Sequence, residues 1–315
     1  METMFPPMFS LPFPMIDTPC IIVDNTAAIL FWYLPRSLTL TRQVNGSSAL
    51  AGSCSLTFES QQIIWDATFH LQPSLKGGKN HGNWRSLDNF FRPRGGDSTL
   101  PPGVVNLSPG WFELGHDVRC QHIIICILHL YPDPSLQGPQ DTLCESASLK
   151  PGHTAQGGRA WLTAIGESAA LLSSVLRVIH PDLYAMARQS MDEMSGELNL
   201  AEILQLWMSV FNGVSVISNR ETPVHRDHSS ASEWYDLLTT IGPYDSAVFE
   251  LPGVGLRFMY QSGTIIGFCG RVLRHGVSEA GGERLCLAYY MRANVQKRLG
   301  SLSAGWNHWD RYHRA

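Results

Sequence analysis

The sequence predicts an α+β protein whose C-terminal third folds into a β-sandwich or barrel, and three observations carry that prediction. Residues 160–179, AWLTAIGESAALLSSVLRVI, place apolar side chains at helical spacing. After Asn212-Gly213 the pattern changes to short β-rich runs separated by Gly or Pro. Of 315 residues, 44% are hydrophobic and 16% charged, enough apolar side chain to bury one large core or two modest ones.

Residues 20–34, CIIVDNTAAILFWYL, read as a strand, a polar turn at Asp24-Asn25-Thr26 and a second strand stopped by Pro35. Residues 76–110 read as irregular, with Gly77-Gly78, Gly95-Gly96 and Pro101-Pro102 as breakers. That run sets Lys76, Lys79, Arg85, Arg92 and Arg94 against Asp88 and Asp97, so it is locally basic; its plainest reading is a solvated loop. Residues 132–158 are rich in Pro, Gly and Ser, and 121–158 is expected to be an insertion or mobile segment, or sequence foreign to the mature protein. His180-Pro181 stops the 160–179 helix, and Met186–Met194 and Ala201–Phe211 continue the helical pattern. Strands follow at Val214–Ile217, Ala247–Leu251, Leu256–Tyr260, Thr264–Phe268, Val272–His275 and Leu285–Met291. The expected organisation is one catalytic domain over 1–315. Its N-terminal portion (1–120) holds strands and the basic loop, and 159–315 holds helices, the β core and the active site.

A net charge of −4 excludes a global positive field that would recruit a polyanion, so any nucleic-acid site must be a local patch. The seven cysteines, at 20, 54, 120, 126, 144, 269 and 286, form no CxxC pair, which points to reduced thiols and against a structural zinc site. The opening METMFPPMFSLPFPM is broken by four prolines and lacks a basic start, so it reads as neither a signal peptide nor a membrane helix. No later window has the ~18 uninterrupted apolar residues of a spanning helix, and no membrane association is expected.

The chemistry concentrates at the strand-to-loop transition after Pro223. In an extended segment, alternation sends His225 and Asp227 to the same side, where an imidazole and a carboxylate can share one metal. The pair alone is a weak signal, since a surface His beside a capping Asp has the same pattern. His275, fifty residues on, is the third ligand expected, and nine residues later Arg284 heads the run RLCLAYYMR. Two histidines and one carboxylate suit a non-haem Fe(II) oxygenase, with positions left for a bidentate 2-oxo acid. A guanidinium at the reach of Arg284 suits the distal carboxylate of 2-oxoglutarate. His228 is expected to point away from this set, His116 lacks the alternation, and His122 and His129 read as core or surface histidines.

With these residues in place the sequence resembles the TET/JBP family of Fe(II)- and 2-oxoglutarate-dependent DNA base dioxygenases, above all its short fungal members. The likeness rests on PCIIVDNTAAILFWYLP at 19–35, NLSPGWFELGH at 106–116, VISNRETPVHRD at 216–227, TTIGPYD at 239–245 and GRVLRHGVSEAGGERLCLAYYMR at 270–292. It implies a double-stranded β-helix (jelly-roll) core with flanking helices. It also implies oxidation of the 5-methylcytosine methyl to hydroxymethyl and beyond, or of the thymine methyl in the JBP branch. Some fungal relatives are associated with N6-methyladenine. His225, Asp227 and His275 match the family's metal positions and Arg284 its co-substrate position. Cys286 stands where TET enzymes use a hydroxyl beside the co-substrate, and Tyr290 where they place a tyrosine against the flipped base. Arg292 replaces a base-bonding histidine and Ser230 a base-reading asparagine, so the accepted base stays open. The cysteine-rich zinc module of animal TET proteins is absent.

The resemblance further implies duplex DNA carrying methylated bases as partner, the base extruded, with Lys79, Arg85 and Arg94 as candidate contacts. A monomer is expected, and a nuclear location follows from the DNA substrate alone. Two other classes remain open: a 2-oxoglutarate oxygenase acting on a protein or small molecule, and a degenerate DNA-binding relative. A second basic run (Arg292, Lys297, Arg298, Arg311 and Arg314) converging with the first on the barrel mouth would favour DNA.

Overall fold

The chain's twelve described strands fall into two sheets that face each other across an aromatic interior. The structure, a computed structural model, describes residues 15–38, 60–75, 84–92, 99–112, 143–151, 157–278, 280–300 and 303–312. In chain order the strands are β1 (Met15–Ile16), β2 (Cys20–Val23), β3 (Ile29–Leu34), β4 (Gly103–Leu107), β5 (Gly213–Ser218), β6 (Thr222–His225), β7 (Asp236–Ile241), β8 (Val248–Leu251), β9 (Leu256–Met259), β10 (Ile265–Phe268), β11 (His275–Val277) and β12 (Leu285–Tyr290). The larger sheet runs β2-β3-β10-β7-β12-β5-β4 and the smaller β1-β9-β8-β11-β6. From β5 to β12 the chain crosses back and forth between them, which makes the core a double-stranded β-helix, the jelly roll that the resemblance implies.

Alternation along the strands builds two cores. Phe31, Tyr33, Phe249, Phe258, Ile266 and Phe268 fill the space between the sheets. On the opposite face of the larger sheet, Val214, Val216, Leu237, Leu285, Leu287 and Tyr289 meet the helices. These are α1 (Ser60–Thr68), α2 (Gly158–Ile179), α3 (Pro181–Met194), α4 (Ala201–Leu206) and α5 (Ala293–Leu299). The helix α2 is long and apolar enough to cross a membrane by length and composition. Its Trp161, Leu162, Ile165, Leu172 and Leu176 are instead buried in the helix–sheet core.

Several elements depart from expectation for identifiable reasons. β4 forms within the run read as irregular and pairs with β5 at one edge of the larger sheet, whereas β2 and β3 at the other edge are the hairpin expected at 20–34. The Asp24 turn is fixed by its own carboxylate, which accepts from Thr26 N, Thr26 Oγ1 and Ala28 N at 2.8–2.9 Å. His180-Pro181 ends α2 but also opens α3, with His180 Nδ1 accepting from Leu183 N and Pro181 in the first turn. The helix at 201 stops at Leu206, where Trp207 turns extended and its Nε1 donates to Phe211 O. Val272–His275 is not a strand: Val272 N and Leu273 N both donate to Cys269 O in a tight turn, and His275 begins β11 instead. Of the expected insertion, 121–142 and 152–156 lie outside the described residues. Residues 143–151 pack into the body, with Leu143 and Leu149 buried and Cys144 bridged to Trp111.

Candidate metal and co-substrate site

Strand register brings the two histidines together. The last residue of β6, His225, lies directly across from the first residue of β11, His275. Asp227 follows two residues after β6, its N–H donating to Gly270 O at 3.0 Å. His225 Nε2 lies 3.5 Å from Asp227 Oδ1, and His275 Nε2 lies 3.4 Å from Asp227 Oδ2. One ligand atom from each residue falls within 4.8 Å of the others.

The donor set fits a divalent metal. His225 Nδ1 is 2.9 Å from Pro223 O and His275 Nδ1 is 3.1 Å from Leu273 O. Those carbonyls can only accept, so each Nδ1 carries the proton and each Nε2 keeps its lone pair for the shared centre. Burial, with the His225 charge beside it, pushes His275 down to about 4. Burial alone would raise the Asp227 carboxyl, but the neighbouring His225, His275 and Arg85 hold it at about 2. Near neutral pH the site therefore presents an uncharged His275 and an ionised carboxylate, the forms that bind metal. Phe249 stacks on the His275 ring at 5.9 Å and Phe268 meets it edge-on at 4.6 Å, so the ligand is held by packing as well.

Arg284 is buried at the head of β12. Its backbone N–H donates to Asn219 Oδ1 at 2.9 Å and its Nη2 donates to Arg220 O at 2.6 Å. Asn219 turns the chain out of the larger sheet in the left-handed region (φ 52°), where asparagine is tolerated better than most residues. Arg284 Nη1 is buried with no hydrogen-bond partner among the described residues, an orphan donor that a carboxylate would satisfy. Cys286, two residues on and also buried, has its Sγ 3.8 Å from Tyr260 OH.

A cavity of about 660 Å³ opens on the triad. It is walled by the inward residues of β12 (Cys286, Ala288 and Tyr290), β5 (Ser215 and Ile217) and β4 (Val104 and Asn106). Tyr290, Arg292 and Ser230 all line it. The Tyr290 ring lies against Gly213, where a Cβ would come within 2.5 Å of Cε2, so that position takes glycine for close approach. The Arg292 guanidinium sits 4.8 Å from the Trp111 ring and 5.6 Å from the Tyr290 ring. Arg292 Nε and Ser230 Oγ are buried without partners among the described residues.

Sequence reasoning missed two charged lining residues. Arg220 is buried beside Arg284, with its Nε unpartnered among the described residues. It lies in the block VISNRETPVHRD, where an arginine straight after a turn asparagine was the available signal. Asp236 opens β7 with both carboxylate oxygens unpartnered among the described residues; burial, then the Asp227 charge, pushes its pKa well up. Gly270 makes room for both acids, since a Cβ there would lie 2.3 Å from Asp236 Oδ2 and 3.2 Å from Asp227 Oδ2.

Of the basic candidates, Lys79 and Arg94 lie outside the described residues. Arg85 turns inward, its Nη2 2.9 Å from Asp227 Oδ1. In the second basic run Arg298 pairs with Glu197 and Arg311 with Asp182. His228 is exposed, whereas His116, His122 and His129 lie outside the described residues.

Residues 131–293, more than half of the chain, match the Tet_JBP family, the oxygenase domain of the 2OGFeDO superfamily. No curated protein matches the chain. Among solved structures it is similar to NgTET1 in complex with 5mC DNA, at 13% identity over 89% of this chain and 79% of that one, with a TM-score of 0.48. It is also similar to a viral collagen prolyl hydroxylase from Paramecium bursaria Chlorella virus-1 in its 2OG complex, at 14% identity over 25% and 57% of the two chains, with a TM-score of 0.21. A 2OG-Fe(II) oxygenase from Burkholderia pseudomallei matches at 16% identity over 36% and 58%, with a TM-score of 0.22.

Proposed function

The chain belongs to the Tet/JBP family of oxygenases that use Fe(II) and 2-oxoglutarate, and from that premise we propose that it oxidises the methyl group of a methylated DNA base, 5-methylcytosine foremost. The observation that carries this reading is the cavity on the triad. Its volume of about 660 Å³ lies inside the roughly 300–1,000 Å³ typical of small-molecule sites. One wall is an aromatic ring backed by a guanidinium (Tyr290 and Arg292), a platform on which an extruded base can stack.

In this reading His225, Asp227 and His275 hold the iron through Nε2, a carboxylate oxygen and Nε2. Arg284 Nη1 receives the distal carboxylate of 2-oxoglutarate, in a pocket it shares with Arg220 and Cys286. Bound there, iron and co-substrate supply the oxidising power for the methyl group. The protein's own part is geometric. The Phe249 and Phe268 rings keep water off His275, the Asn219 turn fixes the Arg284 backbone, and Ser230 and Arg292 offer hydrogen bonds to a base edge.

N6-methyladenine oxidation is a second reading, because Arg292 and Ser230 depart from the TET pattern and leave the accepted base open. One assay separates them. The chain is incubated with Fe(II), ascorbate, 2-oxoglutarate and oligonucleotides bearing 5-methylcytosine, N6-methyladenine or neither, and nucleosides are analysed by mass. Hydroxymethylcytosine is the expected product. Formaldehyde with unmodified adenine would move the assignment to the second reading. Succinate formation that no oligonucleotide stimulates would point to a protein or small-molecule substrate.

A further inference from the structure

Resting on the metal reading above, we propose that Arg85 is a positioning residue that confines Asp227 to one-oxygen metal binding, and that residues 84–92 are the strap that delivers it. A carboxylate has two oxygens, and a metal gripped by both loses a position that a chelating co-substrate needs. Arg85 Nη2 lies 2.9 Å from Asp227 Oδ1, while the buried His275 Nε2 lies 3.4 Å from the other oxygen, Oδ2. A charge-assisted hydrogen bond draws on Oδ1, the oxygen that also lies 3.5 Å from His225 Nε2, and leaves Oδ2, beside His275, as the less encumbered metal ligand. Arg85 keeps its charge at every working pH, so its hold on this carboxylate is permanent.

The contact is built rather than incidental. The Arg85 guanidinium lies over the Trp84 ring at 4.5 Å, and that ring packs 4.6 Å from the His225 ring. Arg220 covers Trp84 at 5.1 Å and donates through Nη1 to Arg85 O at 3.3 Å. The far end of the strap is sewn to the turn between β5 and β6: Arg92 N donates to Asn219 O at 2.8 Å and Glu221 N to Phe90 O at 2.7 Å. Because Arg220 O also accepts from Arg284 Nη2, one line of contacts joins the co-substrate arginine to the metal-binding carboxylate. The Arg85 side chain is 42% exposed, and ion pairs so exposed contribute little to folding; its removal should register at the metal site. A guanidinium engaged on a carboxylate is also not at hand for a DNA phosphate.

The test uses the full chain as wild type, Arg85→Ala and Arg85→Lys. Anaerobic titration with Fe(II) and then 2-oxoglutarate is followed by metal content and by the visible charge-transfer band of the ternary complex. In parallel, unfolding midpoints check the fold, and binding to methylated duplex DNA is measured. Wild type should form the band. Arg85→Ala should keep its unfolding midpoint and its iron, yet need about 10–100-fold more 2-oxoglutarate and show a shifted or lost band. Arg85→Lys should recover part of the loss, as should millimolar guanidinium added to the alanine variant. An alanine variant with wild-type band and co-substrate affinity overturns the proposal; if it has lost DNA affinity, Arg85 is a substrate contact instead. A wild-type chain that forms no ternary complex would overturn the metal reading, and this proposal with it.

Discussion

The two faces of the larger sheet are made from the same strands and do opposite work. Along β12, Leu285, Leu287 and Tyr289 pack against helices, while Cys286, Ala288 and Tyr290 line the cavity. The contrast repeats along β5 (Val214 and Val216 against Ser215 and Ile217) and β7 (Leu237 against Asp236 and Leu238). The helix side closes mainly with apolar contacts and leaves only neutral atoms, such as Trp161 Nε1, Ser168 Oγ and Tyr289 OH, buried without partners among the described residues. The cavity side leaves acidic and basic groups so, on Asp236, Arg284 and Arg292, together with Ser230 Oγ. Such groups are expensive in a finished core and expected where a ligand completes the structure. A period of two therefore separates stability from chemistry within one strand, and substitutions on alternate residues should have separable effects.

The largest effects belong to the metal end of the cavity face. His225→Ala, Asp227→Ala and His275→Ala should each abolish turnover and lower iron to well below one per chain, while circular dichroism keeps its native shape. Gly270→Ala should do the same from the backbone, because its Cβ would fall 2.3 Å from Asp236 Oδ2. Full turnover in any of the three ligand variants would mean that the metal set is misassigned, and in Gly270→Ala that the Asp236 side chain moves aside.

Next comes a pair of opposite outcomes on β12. Arg284→Ala should retain iron but weaken 2-oxoglutarate binding by about 2–5 kcal/mol, with Arg284→Lys a partial rescue, since an ammonium lacks the planar fork. Leu287→Ala, three residues on but facing the helices, should lower stability in urea by about 2–5 kcal/mol and leave co-substrate affinity alone. If both variants lose both properties, the two faces are not separable and the comparison fails.

Tyr290→Ala should slow oxidation while duplex binding stays near normal, because stacking of about 1–3 kcal/mol per base is made only after extrusion. Equal loss of duplex binding would place Tyr290 on the DNA-docking surface instead.

The smallest effect lies on the helix side. Burial pushes His180 down to about 4, so the folded chain keeps it neutral while the unfolded chain protonates it below about 6.5. Its contribution to stability is full above about pH 6.5 and is lost as pH falls from there toward 4, by on the order of 1–3 kcal/mol. His180→Gln should flatten the pH dependence of the urea midpoint across that window, and an unchanged slope would show that other groups set it.

Much of the site was legible because its residues announce their chemistry. His225 and Asp227 alternate in an extended segment, and His275 and Arg284 flank a glycine turn at fixed spacing. The strand that begins at His275 was shifted because Val272 and Leu273 look like strand residues, whereas the turn closing on Cys269 O decides their conformation. Asp236 was hidden for a related reason: an acid at the edge of an apolar run reads as a loop residue, and its burial is set by neighbours distant in sequence. Arg85 read as part of a solvated basic loop, and its partner stands 142 residues away. Of the fold, the hairpin at 20–34 was visible from turn chemistry. Its place beside β10 depends on strand pairing, which no local pattern encodes.

The most direct test of the account is a crystal structure of the chain grown anaerobically with Mn(II) and a non-reactive 2-oxoglutarate analogue, with anomalous scattering measured at the metal edge. The account predicts one anomalous peak within bonding distance of His225 Nε2, His275 Nε2 and a single Asp227 oxygen, with the analogue's distal carboxylate on Arg284. A peak that omits any of the three, or an analogue carboxylate held by another residue, would contradict it.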